Sequence, residues 1–251
     1  MIAENCWALV PLKDMLKAKQ RLQGILSLSE RRDLFLAMVK DLLGTLSGEN
    51  LFGNHVLVVS DDPTAALLAE SYGLTCIQEE IPEAGLNRAI ETGISWTKNH
   101  QIETVMVIHG DLPLIQSHEV KSLLTRHMQT KSRPRISLVS DRAGNGTNCL
   151  LLTPPDALAP CFGQDSRRRH INSAEEKGVA IEVMDLPSLQ FDVDEPVDLR
   201  ELSRMLNQGE GKLLAPHTFE VLVQDAISGR IRAMDLEGTE LRAEKRWGTT
   251  E

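Results

Sequence analysis

The chain has 251 residues, of which 41% are hydrophobic, 25% charged and 4% aromatic, and its formal net charge at pH 7 is −9. This suits one large domain, or one domain with an appendage, whose core is built from Leu, Val, Ile, Ala and Met. An acidic chain with few aromatic rings lacks both the broad basic field that duplexes need and the stacking surface that single strands need, so nucleic acid is not an expected partner.

In chain order, the apolar run at 7–10 predicts a buried strand. Leu34, Phe35, Met38, Val39, Leu42, Leu43 and Leu46 recur at three- and four-residue steps and predict a helix. Ser27-Leu28-Ser29-Glu30 is a capping-box start for it, and Gly48 lies beyond its end. Residues 56–59 read as the second strand, 63–72 as a helix ended by Gly73, 74–77 as the third strand, and 86–96 as a helix. The fourth strand, 104–108, carries no charge, as in a parallel sheet covered by helices on both faces. A helix at 117–128 follows, then strands at 136–139 and 148–152, a helix at 166–176 stopped by Gly178, a strand at 179–184 and a helix at 197–206. Repeated β-α units of this kind predict an α/β fold with a Rossmann-type, mostly parallel sheet flanked by helices over residues 1–207. Such sheets bind ligands outside the carboxyl ends of their strands. Asn207-Gln208-Gly209-Glu210-Gly211 reads as a linker. Beyond it, 219–223 and 229–234 read as two short strands, so that 208–251 would be a linker and a small C-terminal β extension.

The four cysteines, Cys6, Cys76, Cys149 and Cys161, make no C-x-x-C pair, which suits buried thiols in a reducing compartment. The start of the chain has no basic-then-apolar signal, and no run approaches the roughly 20 apolar residues of a membrane helix. A cytoplasmic protein without a membrane partner is expected.

Neither G-x-x-x-x-G-K-[ST] nor G-x-G-x-x-G occurs, so a P-loop and a dinucleotide cofactor are not expected. Other segments carry chemistry. After the first strand, Lys13, Lys17, Lys19 and Arg21 crowd one loop of an otherwise acidic chain, where a triphosphate would want them; a solvated charged turn is the plainer alternative. His109-Gly110-Asp111-Leu112-Pro113 follows the fourth strand and offers a carboxylate suited to Mg²⁺ on phosphates, or only a turn-forming Asp. In Phe191-Asp192-Val193-Asp194-Glu195-Pro196, two carboxylates two residues apart can share one face and would repel without a cation between them. Asp194 or Glu195 could also cap the helix that Pro196 begins, with Asp198 on that helix's surface. Cys161-Phe162-Gly163-Gln164-Asp165-Ser166-Arg167-Arg168-Arg169-His170 is a glycine turn into a helix start, suited to an anion or else to a basic surface patch. Gly144-Asn145-Gly146-Thr147-Asn148 is explained by a hairpin turn.

Taken in order, W-A-L-V-P-L-K with A-K-x-R-L, G-D-L-P, G-N-G-T-N, F-G-x-x-S-x-x-x-H and F-D-V-D-E-P-x-D-L resemble the 2-phospho-L-lactate or phosphoenolpyruvate guanylyltransferase family of coenzyme F420 biosynthesis. The likeness covers about residues 6 to 206. It implies the nucleotidyltransferase-like fold of sugar-phosphate nucleotidyltransferases, with Pro11-Leu12-Lys13 in place of their glycine-rich loop. It further implies transfer of GMP from GTP to a small phosphorylated acid, with release of pyrophosphate; some members of the family accept 3-phospho-D-glycerate. By motif, Lys13, Lys19 and Arg21 would hold the GTP phosphates beside Leu12 and Gly110. Leu86 and Asn87 would lie near the base. Asp111, Asp192 and Asp194 would hold Mg²⁺. Thr147, Gly163, Ser166 and His170 would form the acceptor side. Lys13, Lys19 and Asp111 would be the catalytic groups, and the assembly would be a homodimer. The run Arg167-Arg168-Arg169 and the C-terminal extension depart from the family pattern. Another nucleotidyltransferase of this fold, with a sugar-phosphate or molybdopterin acceptor, stays open at this point, as do a nucleotide-binding regulator and a scaffold acting through its tail.

Overall fold

The apolar runs assemble into a seven-stranded sheet in the computed structural model, which describes residues 5–13, 19–79 and 85–234. Its strands are β1 (Cys6–Pro11), β2 (Val56–Val59), β3 (Thr75–Ile77), β4 (Thr104–Ile108), β5 (Arg135–Ser140), β6 (Thr147–Thr153) and β7 (Ala180–Val183). They lie in the order β3-β2-β1-β4-β6-β5-β7. The β1–β2, β1–β4, β2–β3 and β5–β7 pairs are parallel. β6 pairs antiparallel with both β4 and β5, so it alone runs against the other strands. The sheet is therefore mostly parallel, as the alternating elements predict, and 141–146 is a hairpin turn.

The helices are α1 (Leu28–Leu46), α2 (Pro63–Ser71), α3 (Leu86–Asn99), α4 (Ser117–Gln129), α5 (Ser166–Glu176), α6 (Pro187–Gln190), α7 (Pro196–Leu206), α8 (Gly211–Leu214) and α9 (Pro216–Leu222). The start of α1 is the predicted capping box: Ser27 Oγ accepts from the Glu30 N–H at 3.3 Å, and Glu30 Oε2 accepts from the Ser27 N–H at 2.7 Å. Such a cap stabilises a helix by about 1 kcal/mol. Side chains alternate across β1, so Ala8 and Val10 join Met38 and Leu42 of α1 on one face, while Leu9 joins Ile90 of α3 on the other. α3 lies close to the sheet at Gly93, where a Cβ would fall 2.3 Å from Leu9 Cδ1.

The tail corrects the sequence reading. Residues 219–223 and 229–234 were expected as strands; the first lies mostly in α9, and the second lies within a helical run over 225–234. Pro216 starts α9, and Leu222, Ile227 and Ile231 are buried in the core cluster that includes α1. Asp41 of α1 accepts from the N–H of His217 at 3.0 Å, the N–H of Thr218 at 2.8 Å and the hydroxyl of Thr218 at 2.6 Å. It thereby satisfies donors at the start of α9 that have no partner within the helix. Residues 235–251 of the expected extension lie outside the described residues. Among the described residues, no helix is long and apolar enough to cross a membrane.

From β1 the chain builds outward through β2 to β3, then returns to place β4 on the other side of β1. The connections after β1 and β4 thus leave the sheet in opposite directions. The crevice this opens at the carboxyl ends of the two strands is where open α/β sheets bind ligands.

Candidate active site

β1 delivers Leu12 and Lys13 to this crevice. The Leu12 N–H donates to Val59 O at 2.9 Å, and Leu12 O accepts from Ser60 Oγ at 2.6 Å, so the strand's exit is fixed. Lys13 Nζ pairs with Glu79 Oε2 at 2.6 Å just beyond β3, and the Glu79 side chain is 1% exposed. Lys17 lies outside the described residues. The chain re-enters at Lys19 in the left-handed region (φ 57°, ψ 40°), before a 3₁₀ turn over Gln20–Leu22. β4 delivers His109, Gly110 and Asp111. A Cβ on Gly110 would fall 2.7 Å from Leu12 Cδ2, so the two nominated nucleotide residues pack on each other and leave no room for a side chain there.

Lys19 is the centre of the arrangement. Its Nζ donates to Asp111 Oδ2 at 2.5 Å and to Asp194 Oδ1 at 2.8 Å, with a side chain only 4% exposed. Burial alone would pull the lysine pKa down, but the charges of Asp111 and Asp194 outweigh it and hold it above its ordinary value. Burial would likewise raise Asp111, yet the Lys19 charge beside it keeps its carboxyl below the usual range. Among the described residues, no cation is paired with Asp192. Burial, then the charge of Asp111, pushes its pKa up to about 6, against a 3.2 Å hydrogen bond donated by Asn148 Nδ2. The three aspartates proposed from the motifs therefore share one electrostatic neighbourhood.

Asp198 sets the backbone of the 192–195 segment. Its Oδ2 accepts from the N–H of Asp194 at 3.1 Å and of Glu195 at 2.8 Å. Arg142, in the β5–β6 turn, donates to Asp198 Oδ1 at 2.5 Å and to Glu201 Oε2 at 2.6 Å, and its guanidinium lies 4.0 Å from the Phe191 ring centroid. Asp198 is thus more than the helix-surface residue expected, because it ties the aspartate loop to the hairpin. Arg21, assigned to phosphates by motif, contacts Glu195 at 3.3 Å with both side chains exposed.

The nominated acceptor residues gather at the start of β6 and of α5. His170 is fully buried, and burial pushes its pKa down to about 4. Its Nε2 accepts the Cys161 N–H at 3.2 Å, so the neutral ring carries its proton on Nδ1 and donates to Thr147 Oγ1 at 3.0 Å. The Gly163 turn has φ 112°, and its carbonyl accepts the N–H of Ser166 at 3.1 Å. Asn87 holds this turn with both ends of its amide: Oδ1 accepts from the Phe162 N–H at 2.7 Å, and Nδ2 donates to Phe162 O at 3.1 Å. Leu86, the other residue nominated for the base, packs against the core cluster beneath α3. Arg169 donates to Phe162 O at 3.0 Å and Arg167 to Gly144 O at 3.2 Å, so these two arginines brace the turns around the acceptor residues.

Whether this set suits a divalent metal can be judged from its donors. Among the described residues, no three His, Cys, Asp or Glu side chains form a ready cluster for a metal ion. The donor chemistry nevertheless fits a hard cation: Asp111 and Asp194 act electrostatically on Asp192, and Asp111 Oδ1 is buried with no hydrogen-bond partner. Glu79 was not singled out from the sequence, and Asn148 and Asp198 were read only as parts of a hairpin turn and a helix surface. Their roles were not visible because each acts by supporting a nominated residue.

Solved structures show the same fold. A nucleotide-diphospho-sugar-transferase-type structure from Desulfovibrio desulfuricans superposes with a TM-score of 0.71 at 14% identity, covering 91% of this chain and 97% of that one. A nucleotidyl transferase from Methanothermobacter matches with a TM-score of 0.55 at 13% identity, over 80% and 96% of the two chains. With sequence relatives that are themselves guanylyltransferases, the protein is a nucleotidyltransferase. More narrowly, it belongs to the family described as "Guanylyl transferase CofC like", whose model matches residues 6–224. It is 38% identical to a phosphoenolpyruvate guanylyltransferase of Conexibacter woesei, over 88% of this chain and 96% of that protein. It is 34% identical to a 2-phospho-L-lactate guanylyltransferase of Methanothermobacter thermautotrophicus, over 81% and 85%. It is 32% identical to a 3-phospho-D-glycerate guanylyltransferase of Colwellia psychrerythraea, over 77% and 89%.

Proposed function

We propose that the protein transfers GMP from GTP to a small phosphorylated carboxylic acid, releasing pyrophosphate, as a step of coenzyme F420 biosynthesis. The observation that carries this reading is Lys19 held between Asp111 and Asp194 at the β1–β4 crevice, with the Thr147 and Ser166 side next to it in a chain related to guanylyltransferases for three such acids. An oxygen of the acceptor phosphate attacks the α-phosphorus of GTP. The new bond joins that oxygen to phosphorus, and the bond to the β-phosphate bridge breaks. A phosphomonoester is mostly doubly ionised at neutral pH, its second pKa being about 6, so the nucleophile needs no general base. That agrees with His170, which burial keeps neutral and which is committed to Thr147 and Cys161 as a positioning residue.

Lys13, Lys19 and Arg21 neutralise the phosphates of the nucleotide and the pyrophosphate as it leaves. Asp111, Asp192 and Asp194 would hold Mg²⁺, which when bound supplies charge neutralisation on the phosphates. Asn87 fixes the Phe162–Gly163 turn from which α5 begins, which supports Gly163 and the Ser166 hydroxyl as part of the acceptor side. Catalysis then rests on alignment and charge.

The test is pyrophosphate release with GTP, Mg²⁺ and, in turn, 2-phospholactate, phosphoenolpyruvate and 3-phosphoglycerate. Release that depends on one of these acids is expected and names the acceptor. A folded protein that binds GTP yet releases nothing with any of them would overturn the reading.

A further inference from the structure

Each described cation of the loop after β1 is already tied to a carboxylate. Lys13 pairs with Glu79 at 2.6 Å, Arg21 with Glu195 at 3.3 Å, and Lys19 with Asp111 and Asp194 at 2.5 and 2.8 Å. At Lys19, a group suited to phosphates and two groups suited to a divalent ion thus satisfy each other. Lys19 is the most committed. Its side chain is 4% exposed although Asp194's is 48% exposed, and it holds a left-handed backbone conformation that lysine rarely adopts. Its ammonium takes one oxygen from each of two carboxylates, the place where a cation bridging them would sit. An ammonium and a divalent ion cannot share that place, because two like charges within a few ångströms repel strongly in a partly buried site.

We propose that Lys19 is a built-in counter-ion, filling the cation position between Asp111 and Asp194 in the nucleotide-free protein. The divalent ion then enters only together with a triphosphate, whose oxygens draw Lys19 off the carboxylates. This rests on the reading of Asp111 and Asp194 as metal ligands. The exchange keeps every charge partnered: the carboxylates trade an ammonium for the metal, and Lys19 trades carboxylates for phosphate. It also makes the arrival of the nucleotide the event that assembles the metal site, so a free divalent ion does not occupy the site beforehand.

The experiment follows Mn²⁺ binding to the full chain without nucleotide, from the electron paramagnetic resonance signal of the free ion. Lys19→Gln is expected to bind Mn²⁺ at least ~10-fold more tightly than the unsubstituted protein, since a repelling charge is removed. Lys19→Arg should bind as weakly as the unsubstituted protein, and Lys19→Gln with Asp194→Asn should lose the gain. A measurement without substitution runs beside it: trace acetylation of the Lys19 amine, read by mass spectrometry, should be slow and unchanged by Mn²⁺ alone. Labelling that speeds up with Mn²⁺ alone would overturn the proposal. So would nucleotide-free protein that binds Mn²⁺ as tightly as Lys19→Gln, and if Asp111→Asn abolishes that binding the metal ligands themselves stand. Absence of Mn²⁺ from every variant, even with a GTP analogue bearing a methylene between its α- and β-phosphates, would instead remove the ligand reading and the proposal with it.

Discussion

Gly110→Ala should uncouple the end of β4 from the end of β1. The added Cβ would sit 2.7 Å from Leu12 Cδ2, 3.2 Å from Val39 Cγ2 and 3.5 Å from Phe35 Cζ. Leu12 and Val39 are fully buried and Phe35 nearly so, so the neighbours have no open space to move into. Overpacking of this kind costs about 1–3 kcal/mol. The strain is relieved most readily by shifting the chain at 110, which carries Asp111 with it; a displacement of about 1 Å at such a group lowers turnover by roughly 100-fold. Urea denaturation and pyrophosphate release measure the two effects separately. A double-mutant cycle isolates the cause. Leu12→Ala costs about 2–5 kcal/mol by itself through the cavity it leaves, but in its background Gly110→Ala should be nearly free of cost, with a coupling within the 0.5–3 kcal/mol that contacting residues show. Additivity within about 0.5 kcal/mol, or a Gly110→Ala protein with unchanged stability and turnover, would refute the packing argument.

Asp198→Ala removes the acceptor of two backbone N–H groups and a partner of Arg142. It should cost about 1–2 kcal/mol and lower kcat more than it raises KM for GTP, and steady-state kinetics showing a change in KM alone would argue against a role in placing Asp194. His127 is buried between Ser137 and Thr153, and burial pushes its pKa down to about 3. The unfolded chain takes up a proton there below about pH 6.5 while the folded one does not until near pH 3, so stability falls as pH drops through that window, by roughly 1.4 kcal/mol per pH unit at most. His127→Gln should flatten the slope of stability against pH between 6 and 4, and equal slopes in the two proteins would contradict this. Asp41→Ala leaves the donors at the start of α9 without their acceptor and should destabilise the fold by about 2–4 kcal/mol, seen as a lower Tm; an unchanged Tm would mean that the tail's docking does not rest on Asp41.

The centre of the fold was legible because its signals are local. Uncharged runs such as 104–108 mark strands buried on both faces, and Ser27 with Glu30 writes a helix start in four residues. The loop lysines and the aspartates stood out because like charges in a short span need a reason. The reversal of β6 was not legible, since a strand buried on both faces reads the same in either direction. The tail was misread because Phe219-Glu220-Val221-Leu222-Val223 is short and rich in apolar residues, and packing on α1 decided its conformation; Pro216, and the spacing of Leu222, Ile227 and Ile231, were the overlooked helical signals. Glu79, and the roles of Asn148 and Asp198, were missed for another reason: a residue that acts by holding a partner has no signature of its own for that task.

The lone antiparallel strand has a consequence for how the protein can change. In a wholly parallel sheet every strand begins at the edge away from the ligand. Because β6 is reversed, the 141–146 hairpin turn and the start of β6 lie on the ligand edge, and the turn is closed by its own bonds, Gly144 N–H to Asp141 O at 3.1 Å and Asn145 N–H to Asp141 Oδ1 at 2.8 Å. It is also bonded outward, Arg142 to Asp198 and Glu201 and the Arg167 guanidinium to Gly144 O. A change in this rim is therefore felt at the aspartate loop and at the start of α5, and descendants of one ancestor can vary the turn only where Arg142 and the Gly144 carbonyl keep these bonds.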